Sequence, residues 1–252
     1  MDRADNREKA ARLREWILQA DHTVFFGGAG VSTDSGLADF RSRDRGLYHQ
    51  DNPYGVPTER ILSHGFYKEH PAEFFTFYRT RLLKLEAPPN EVHFALADME
   101  RQGRLAAIVT QNADGLHQRA GSRTVIDLHG NVYDNTCELC GRKHPAERTA
   151  SCAGIPRCEC GGIIRPGIVL FDEIPDPENV WEAVRQIRRS DLLLIAGTSL
   201  RVSSASRLLQ CFRGAHLVIL NREETAMDDR ADLIIRGSLT GIFRQIWPMD
   251  GR

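Results

Sequence analysis

Apolar positions along this chain switch between a period of three to four residues and continuous short runs. Ala10, Leu13, Trp16, Ile17 and Ala20 recur at helical spacing among charges, which predicts a helix over 7–20. Thr23-Val24-Phe25-Phe26 then forms a β-rich run that enters Gly27-Gly28-Ala29-Gly30. The same rhythm predicts a helix over 92–101 and strands over 105–110 and 124–128. It resumes after residue 166 with an apolar run at 168–171, a helix near 179–188 and strands over 192–196, 217–220 and 233–235. Strands that are apolar on every residue are buried on both faces, as in an α/β fold with a Rossmann-like, doubly wound parallel sheet. Two segments break the rhythm. Residues 41–90 are aromatic-rich and punctuated by proline, closing at Pro88-Pro89, and read as a helical insert. The second interruption, 135–165, carries five of the six cysteines.

Composition adds exclusions. At 252 residues with 41% hydrophobic and 27% charged positions, the chain can bury a sizeable core. Thirty-three Lys+Arg against thirty-four Asp+Glu leave a net charge of −1, which disfavours a nucleic-acid binder driven by bulk charge. The first residues are charged where an export signal would be apolar, and no apolar stretch approaches a membrane span of about 18 residues. The expectation is a soluble, intracellular protein.

Candidate chemistry gathers at strand ends. Gly28-Ala29-Gly30-Val31-Ser32 follows a predicted strand, where glycines can admit a phosphate to the backbone or simply make a turn. The dinucleotide fingerprint would have a third glycine where Thr33 stands. Thr110-Gln111-Asn112-Ala113-Asp114, Gly197-Thr198-Ser199 and Asn221-Arg222-Glu223 also end strands. Ligands of open α/β sheets bind beyond the carboxyl ends, so these segments are expected to share one crevice. His129 ends a further strand, as a packed residue or a general base. Cys137-x-x-Cys140 and Cys158-x-Cys160 have the look of a four-thiolate structural zinc site, with Cys152 as an alternative ligand. Cys211 reads as an inert core residue. The expected layout is a large lobe of 1–41, 91–134 and 166–252, with a small second lobe made of the helical insert 42–90 and a zinc-binding module 135–165.

These motifs in this order resemble the sirtuins, NAD-dependent protein deacylases, across nearly the whole chain. The resemblance rests on the stretch from Gly28 to Arg41, on Thr110 to His117, His129-Gly130, the cysteine pairs, Arg165 to Phe171 and Gly197-Thr198-Ser199-Leu200. It implies an enzyme that cleaves nicotinamide from NAD and transfers an acyl group from lysine to ADP-ribose, with acylated-lysine proteins as partners and structural zinc. It implies that Gly28, Ala29, Gly30, Ser32, Asp39, Phe40 and Arg41 line the NAD pocket, with Gln111, Asn112 and Asp114 around the nicotinamide ribose and amide. Gly197, Thr198, Ser199, Asn221 and the Ile235 backbone would hold the adenosine half. His129 would be the base, assisted by Asn112 and Asp114. Val169, Leu170 and Phe171 would pair with the substrate peptide, Phe171 walling the acyl-lysine tunnel. Asp114 also suits a helix N-cap. Short termini resemble those of bacterial members, hence a cytoplasmic location.

The chain departs from the family pattern at three positions: Ala38 stands for a usual Pro, Ala113 for Ile and Asp172 for Gly. Asp172 would add a carboxylate beside the peptide groove and favour basic flanking residues. Tyr78-Arg79-Thr80-Arg81 has the Tyr and Arg spacing of desuccinylase-type members, but in a shifted register, and reads as a solvated helix face. ADP-ribosyl transfer to protein and a weakly catalytic NAD-binding or interaction module are the competing functions.

Overall fold

The computed structural model describes residues 3–40, 46–200 and 203–249. Six parallel strands form the central sheet: β1 (Thr23–Gly27), β2 (Ala107–Thr110), β3 (Val125–Asp127), β7 (Leu192–Ala196), β8 (His216–Asn221) and β9 (Leu233–Arg236), in the order β3-β2-β1-β7-β8-β9. Between them in the chain lie β4 (Asn135–Cys137), β5 (Lys143–His144) and β6 (Ile164–Arg165), which make a separate antiparallel sheet in the order β5-β4-β6.

The alternating pleat explains why the parallel strands are apolar throughout. Phe25, Leu192, Leu194, Val218 and Leu220 face one layer, packed with Leu13 and Ile17 of helix α1 (Arg3–Gln19). Leu96 of α5 (Glu91–Arg101) and Phe243 of α10 (Leu239–Ile246) lie in the same layer. Val24, Phe26, Leu193, Ile195, Leu217 and Ile219 face the other, covered by Ala183 and Ile187 of α8 (Pro177–Arg189) and Leu209 of α9 (Ser203–Leu209). Each side chain so buried contributes about 1.5–3 kcal/mol before entropy is charged against it.

The aromatic segment folds as expected into helices: α2 (Thr58–Ile61), α3 (His64–Glu69) and α4 (Pro71–Phe77), followed by a π-helical turn, Tyr78–Leu82. Its core of Phe66, Tyr67, Phe74, Phe75, Phe77 and Tyr78 is a third apolar cluster that also takes in Ile168 and Leu170. The run at 168–171 is therefore not a strand of the main sheet. It is an extended crosspiece, bridged through Ile168 to Gly130 on one side and through Phe171 to Ser63 on the other. Nor is Tyr78 on a solvated face: it is fully buried and stacked on Phe74, with ring centroids 5.9 Å apart. Arg81, three residues on, is exposed and bonded to Gln50 and the Asp51 carbonyl.

The chain runs β1 to β2 to β3 toward one edge of the sheet and β7 to β8 to β9 toward the other. The direction reverses between neighbours β1 and β7, which is where an open α/β sheet opens a crevice at its carboxyl ends. The remaining helices, α6 (Leu116–Ala120) after β2 and α7 (Ala146–Ala150) in the small sheet's segment, are short.

Candidate active site

The glycine loop after β1 meets the loop after β7 at that switch point. Gly28 N–H donates to the Ala196 carbonyl at 3.1 Å and Gly30 N–H to the Gly197 carbonyl at 2.8 Å. A Cβ on Gly30 would lie 2.8 Å from Gly197 Cα, and one on Gly28 would lie 2.7 Å from Thr198 Cβ. Both glycines are thus needed for backbone packing against the neighbouring strand end, a reason the sequence reading did not supply. Gln111 Nε2 donates to Thr198 Oγ1 at 3.2 Å, so the ends of β1, β2 and β7 close on one another.

Asn112 and Asp114 project from the loop after β2 into the same place. Asn112 is buried and its Nδ2 donates to the Gly28 carbonyl at 3.2 Å and to Ser32 Oγ at 3.1 Å. Ser32 Oγ in turn donates to Asp114 Oδ2 at 2.6 Å, while Asp114 Oδ1 accepts the Leu116 N–H at 2.9 Å. One carboxylate oxygen thus holds the first residue of α6, just beyond the Gly115 N-cap, and the other faces the glycine loop. Burial pushes its pKa up, and the Ser32 hydroxyl, the Leu116 amide and the charge of Arg119 offset this only in part.

His129, at the end of the loop after β3, is half-buried. Its Nδ1 lies 2.8 Å from the Gln111 carbonyl, which can only accept, so Nδ1 carries the proton and the neutral ring offers Nε2 as a base. Burial lowers its pKa, opposed by that same hydrogen bond. The His129 carbonyl receives the Val169 N–H at 2.9 Å, which ties the crosspiece to the histidine. Phe171 at the far end is 40% exposed. Glu173 clamps the crosspiece from below, accepting from Leu170 N–H at 2.8 Å, His64 Nδ1 at 2.7 Å and Arg165 Nη2 at 2.6 Å. Burial alone would raise the Glu173 pKa, but these donors hold it below its ordinary value. A cleft of about 730 Å³ opens beside the crosspiece, lined by Gly130, Ile168, Val169 and Asp172 among others.

The other expected residues that the structure describes lie in or just beyond the glycine loop and at the carboxyl ends of β7, β8 and β9. Ala29 lies in the glycine loop, and Asp39 and Phe40 are half-buried just beyond it, Phe40 against Tyr48 at 5.7 Å between rings. Arg41 falls outside the described residues. Ser199 follows Thr198 in the β7 loop, and Asn221 ends β8 with its Nδ2 on the Glu223 carbonyl at 2.9 Å. Ile235 is a buried core residue of edge strand β9, so only its main chain is open to a ligand.

Away from the crevice, Cys137, Cys140, Cys158 and Cys160 bring four thiols within 4.8 Å of one another, and Cys152 is not among them. The closest pairs are Cys137 with Cys160 at 3.4 Å and Cys140 with Cys158 at 3.7 Å. Four sulfurs about 2.3 Å from a tetrahedral zinc would stand about 3.8 Å apart, so the donor set fits. The surrounding sheet has little core of its own: Cys137, Cys158 and Ile164 form the whole buried cluster there.

With this geometry in place, comparison with known proteins is decisive. A model of the Sir2 family matches residues 28–204. An NAD-dependent protein deacetylase of Cutibacterium acnes is 51% identical over 241 residues, spanning 94% of this chain and 98% of that one. The chain belongs to the Sir2 family. Among solved structures, a Sir2 protein with a p53 peptide and NAD+ is 35% identical with a TM-score of 0.82, covering 93% of this chain and 95% of that one. A Sir2 protein bound to a propionylated peptide is 34% identical, also with a TM-score of 0.82, over 94% and 97% of the two chains.

Two contributors to this Sir2 site escaped the sequence reading. Glu173 sits two residues beyond Phe171 and carries no motif of its own. His93 is 61 residues from Ser32 yet touches it, and the only local signal was its place three residues after Asn90, the spacing of a capping box.

The departure at Asp172 also acquires a physical meaning: its φ is 71°, in the left-handed region where glycine pays no penalty. Asp172→Gly is expected to stabilise the protein by about 1 kcal/mol in denaturant or thermal melts, and a lower stability would show that the Asp172 side chain supports this turn. Stripping the thiol cluster with a zinc chelator is expected to release one zinc per chain and lower the melting temperature. A chelated protein that melts unchanged would remove the metal from the stability account.

Proposed function

We propose that the chain is a cytoplasmic NAD-dependent protein-lysine deacylase, acting chiefly on acetyl-lysine. The single observation that carries this reading is His129, whose main chain is tied to the crosspiece while its ring is tied to the Gln111 loop. One residue thereby joins the two halves of a site that must bring a peptide to a nucleotide. With the chain divided into a large lobe (1–41, 91–134, 166–252), a helical insert (42–90) and a zinc-binding module (135–165), both substrates would enter the crevice between lobes. The near-neutral charge suits a polypeptide substrate better than nucleic acid.

When bound, NAD supplies an electrophilic ribose carbon as its bond to nicotinamide breaks, and the acyl oxygen of the lysine amide takes that carbon. The protein's own residues do the rest. Gly28, Ala29, Gly30, Ser32, Asp39, Phe40 and Arg41 would cradle the diphosphate and the nicotinamide end. Gly197, Thr198, Ser199, Asn221 and the Ile235 main chain would hold the adenosine. Asp114, kept in a buried hydrogen-bonded setting, would orient the carboxamide, and Asn112 and Gln111 the ribose. His129 Nε2, unprotonated at neutral pH because burial lowers the ring's pKa, would take a ribose hydroxyl proton so that the oxygen can attack the acyl carbon. Val169, Leu170 and Phe171 would hold the peptide as an added strand. The four cysteines would bind zinc away from this chemistry.

The test is mass spectrometry after incubation with NAD and acetyl-, succinyl- and long-chain acyl-lysine peptides. The wild type is expected to form O-acetyl-ADP-ribose, and His129→Ala to lose about a hundredfold or more of that rate. Succinyl turnover is expected to be slower than acetyl turnover, because Tyr78 is buried and Arg81 is turned outward. A lowered His129 pKa keeps the base unprotonated as pH falls, so kcat/KM should hold through pH 6.5 and decline only below it. Half-maximal activity at or above pH 6.5 would contradict the assignment of His129. NAD cleavage with a mass gain on protein and no deacylated peptide would replace it with ADP-ribosyl transfer.

A further inference from the structure

Behind the Ser32 and Asp114 pair lies a buried histidine that the deacylase mechanism does not use. His93 is the third residue of helix α5 and fully buried. Its Nδ1 receives the backbone N–H of Asn90 at 3.2 Å, completing a capping box in which the Asn90 side chain accepts the Val92 N–H at 2.9 Å. Its Nε2 stands 3.5 Å from Ser32 Oγ.

The direction of every proton in this chain follows from one fact. A backbone N–H can only donate, so His93 Nδ1 must be bare and the neutral ring must carry its proton on Nε2. Ser32 Oγ then faces two donors, His93 Nε2–H and Asn112 Nδ2 at 3.1 Å, and its own proton has one place left to go, Asp114 Oδ2. We propose that His93 is a positioning residue: the capping box of α5 fixes its tautomer, and the tautomer keeps the Ser32 hydroxyl aimed at Asp114.

The surroundings agree. Burial lowers the His93 pKa to about 4, so the ring stays neutral across the physiological range. A second ring, His117, lies 4.8 Å from it between centroids, fully buried with neither nitrogen bonded, and burial pushes its pKa well down. Among the described residues, the other charged groups acting here are Arg119, which offsets part of the burial-driven rise in the Asp114 pKa, and Asp127, whose own pKa burial raises and the Asp114 charge helps to raise. The Ser32 hydrogen cannot turn to His93, because a ring accepting at both nitrogens would be an imidazolate. The long 3.5 Å separation therefore orients Ser32 by exclusion as much as by its own strength.

The functional half of this inference rests on the deacylase reading, but its core can be tested without activity. Long-range ¹H–¹⁵N NMR on the ¹⁵N-labelled full chain should show His93 as the Nε2–H tautomer, not titrating between pH 8 and about pH 5.5. A proton on Nδ1, or titration near pH 6.5, overturns the proposal. In kinetics, His93→Leu should lower kcat/KM for NAD about tenfold, and His93→Gln, which offers an acceptor to Asn90 and a donor to Ser32, should recover to within about threefold of wild type. In a Ser32→Ala background His93→Leu should cost less than about threefold, since the hydroxyl it orients is gone. The same tenfold loss in that background would mean that His93 only caps the helix, and would overturn the proposal. A wild type that turns over no NAD would count against the deacylase reading, with the NMR result still deciding this one.

Discussion

The hydrogen bond from Ser32 to Asp114 is the constraint on which the arrangement of this site depends. It places a carboxylate in a buried setting that raises its pKa, so the fold pays for an ionised group it would otherwise exclude. Most of the nearby architecture serves that group. The glycine loop must pack against Gly197 to bring Ser32 across, β2 must end beside β1 to present Asp114, and α5 must begin where Asn90 and His93 can stand behind Ser32. Asn90 also reaches the Val31 carbonyl and Ser35 Oγ, so the helix start and the glycine loop are bonded directly.

A second, independent set of bonds holds the crosspiece. Glu173 gathers Leu170, His64 and Arg165, joining the helical insert, the end of the small sheet and the crosspiece in one ionic knot. Only a third exposed or less on the Arg165 and Glu173 sides, this knot is better shielded than the surface pairs elsewhere, such as Lys9 with Asp5. His129 is where the two sets meet, through its ring on one side and its carbonyl on the other.

Much of this was legible in the residue pattern. Strands β1, β7 and β8 are apolar on consecutive residues because both faces are covered, and the two cysteine pairs mark a metal site by spacing, although only the fold leaves Cys152 out of it. What escaped depends on three-dimensional closure. The run at 168–171 is as apolar as a sheet strand, yet it is buried against the helical insert, since apolarity records burial and not the partner. Tyr78 and Arg81 share a segment but face opposite environments because a π-helical turn rephases the side chains there. Asp172 could be seen to replace a glycine, but its positive φ could not be seen. His93 joins the site only through the packing of the α5 start against the glycine loop, 61 residues away in the chain.

The most direct test of the buried carboxylate is Asp114→Asn, measured for NAD turnover and for melting temperature across pH. Because the folded-state pKa of Asp114 is raised, the ionised group costs stability above that pKa, and the cost disappears as pH falls and the group protonates. The account predicts that turnover falls by about a hundredfold while the variant melts at or above the wild type at pH 8, with the difference narrowing toward pH 4. A variant that keeps its turnover, or that melts below the wild type at every pH, would contradict the claim that the fold is strained to hold this charge for chemistry.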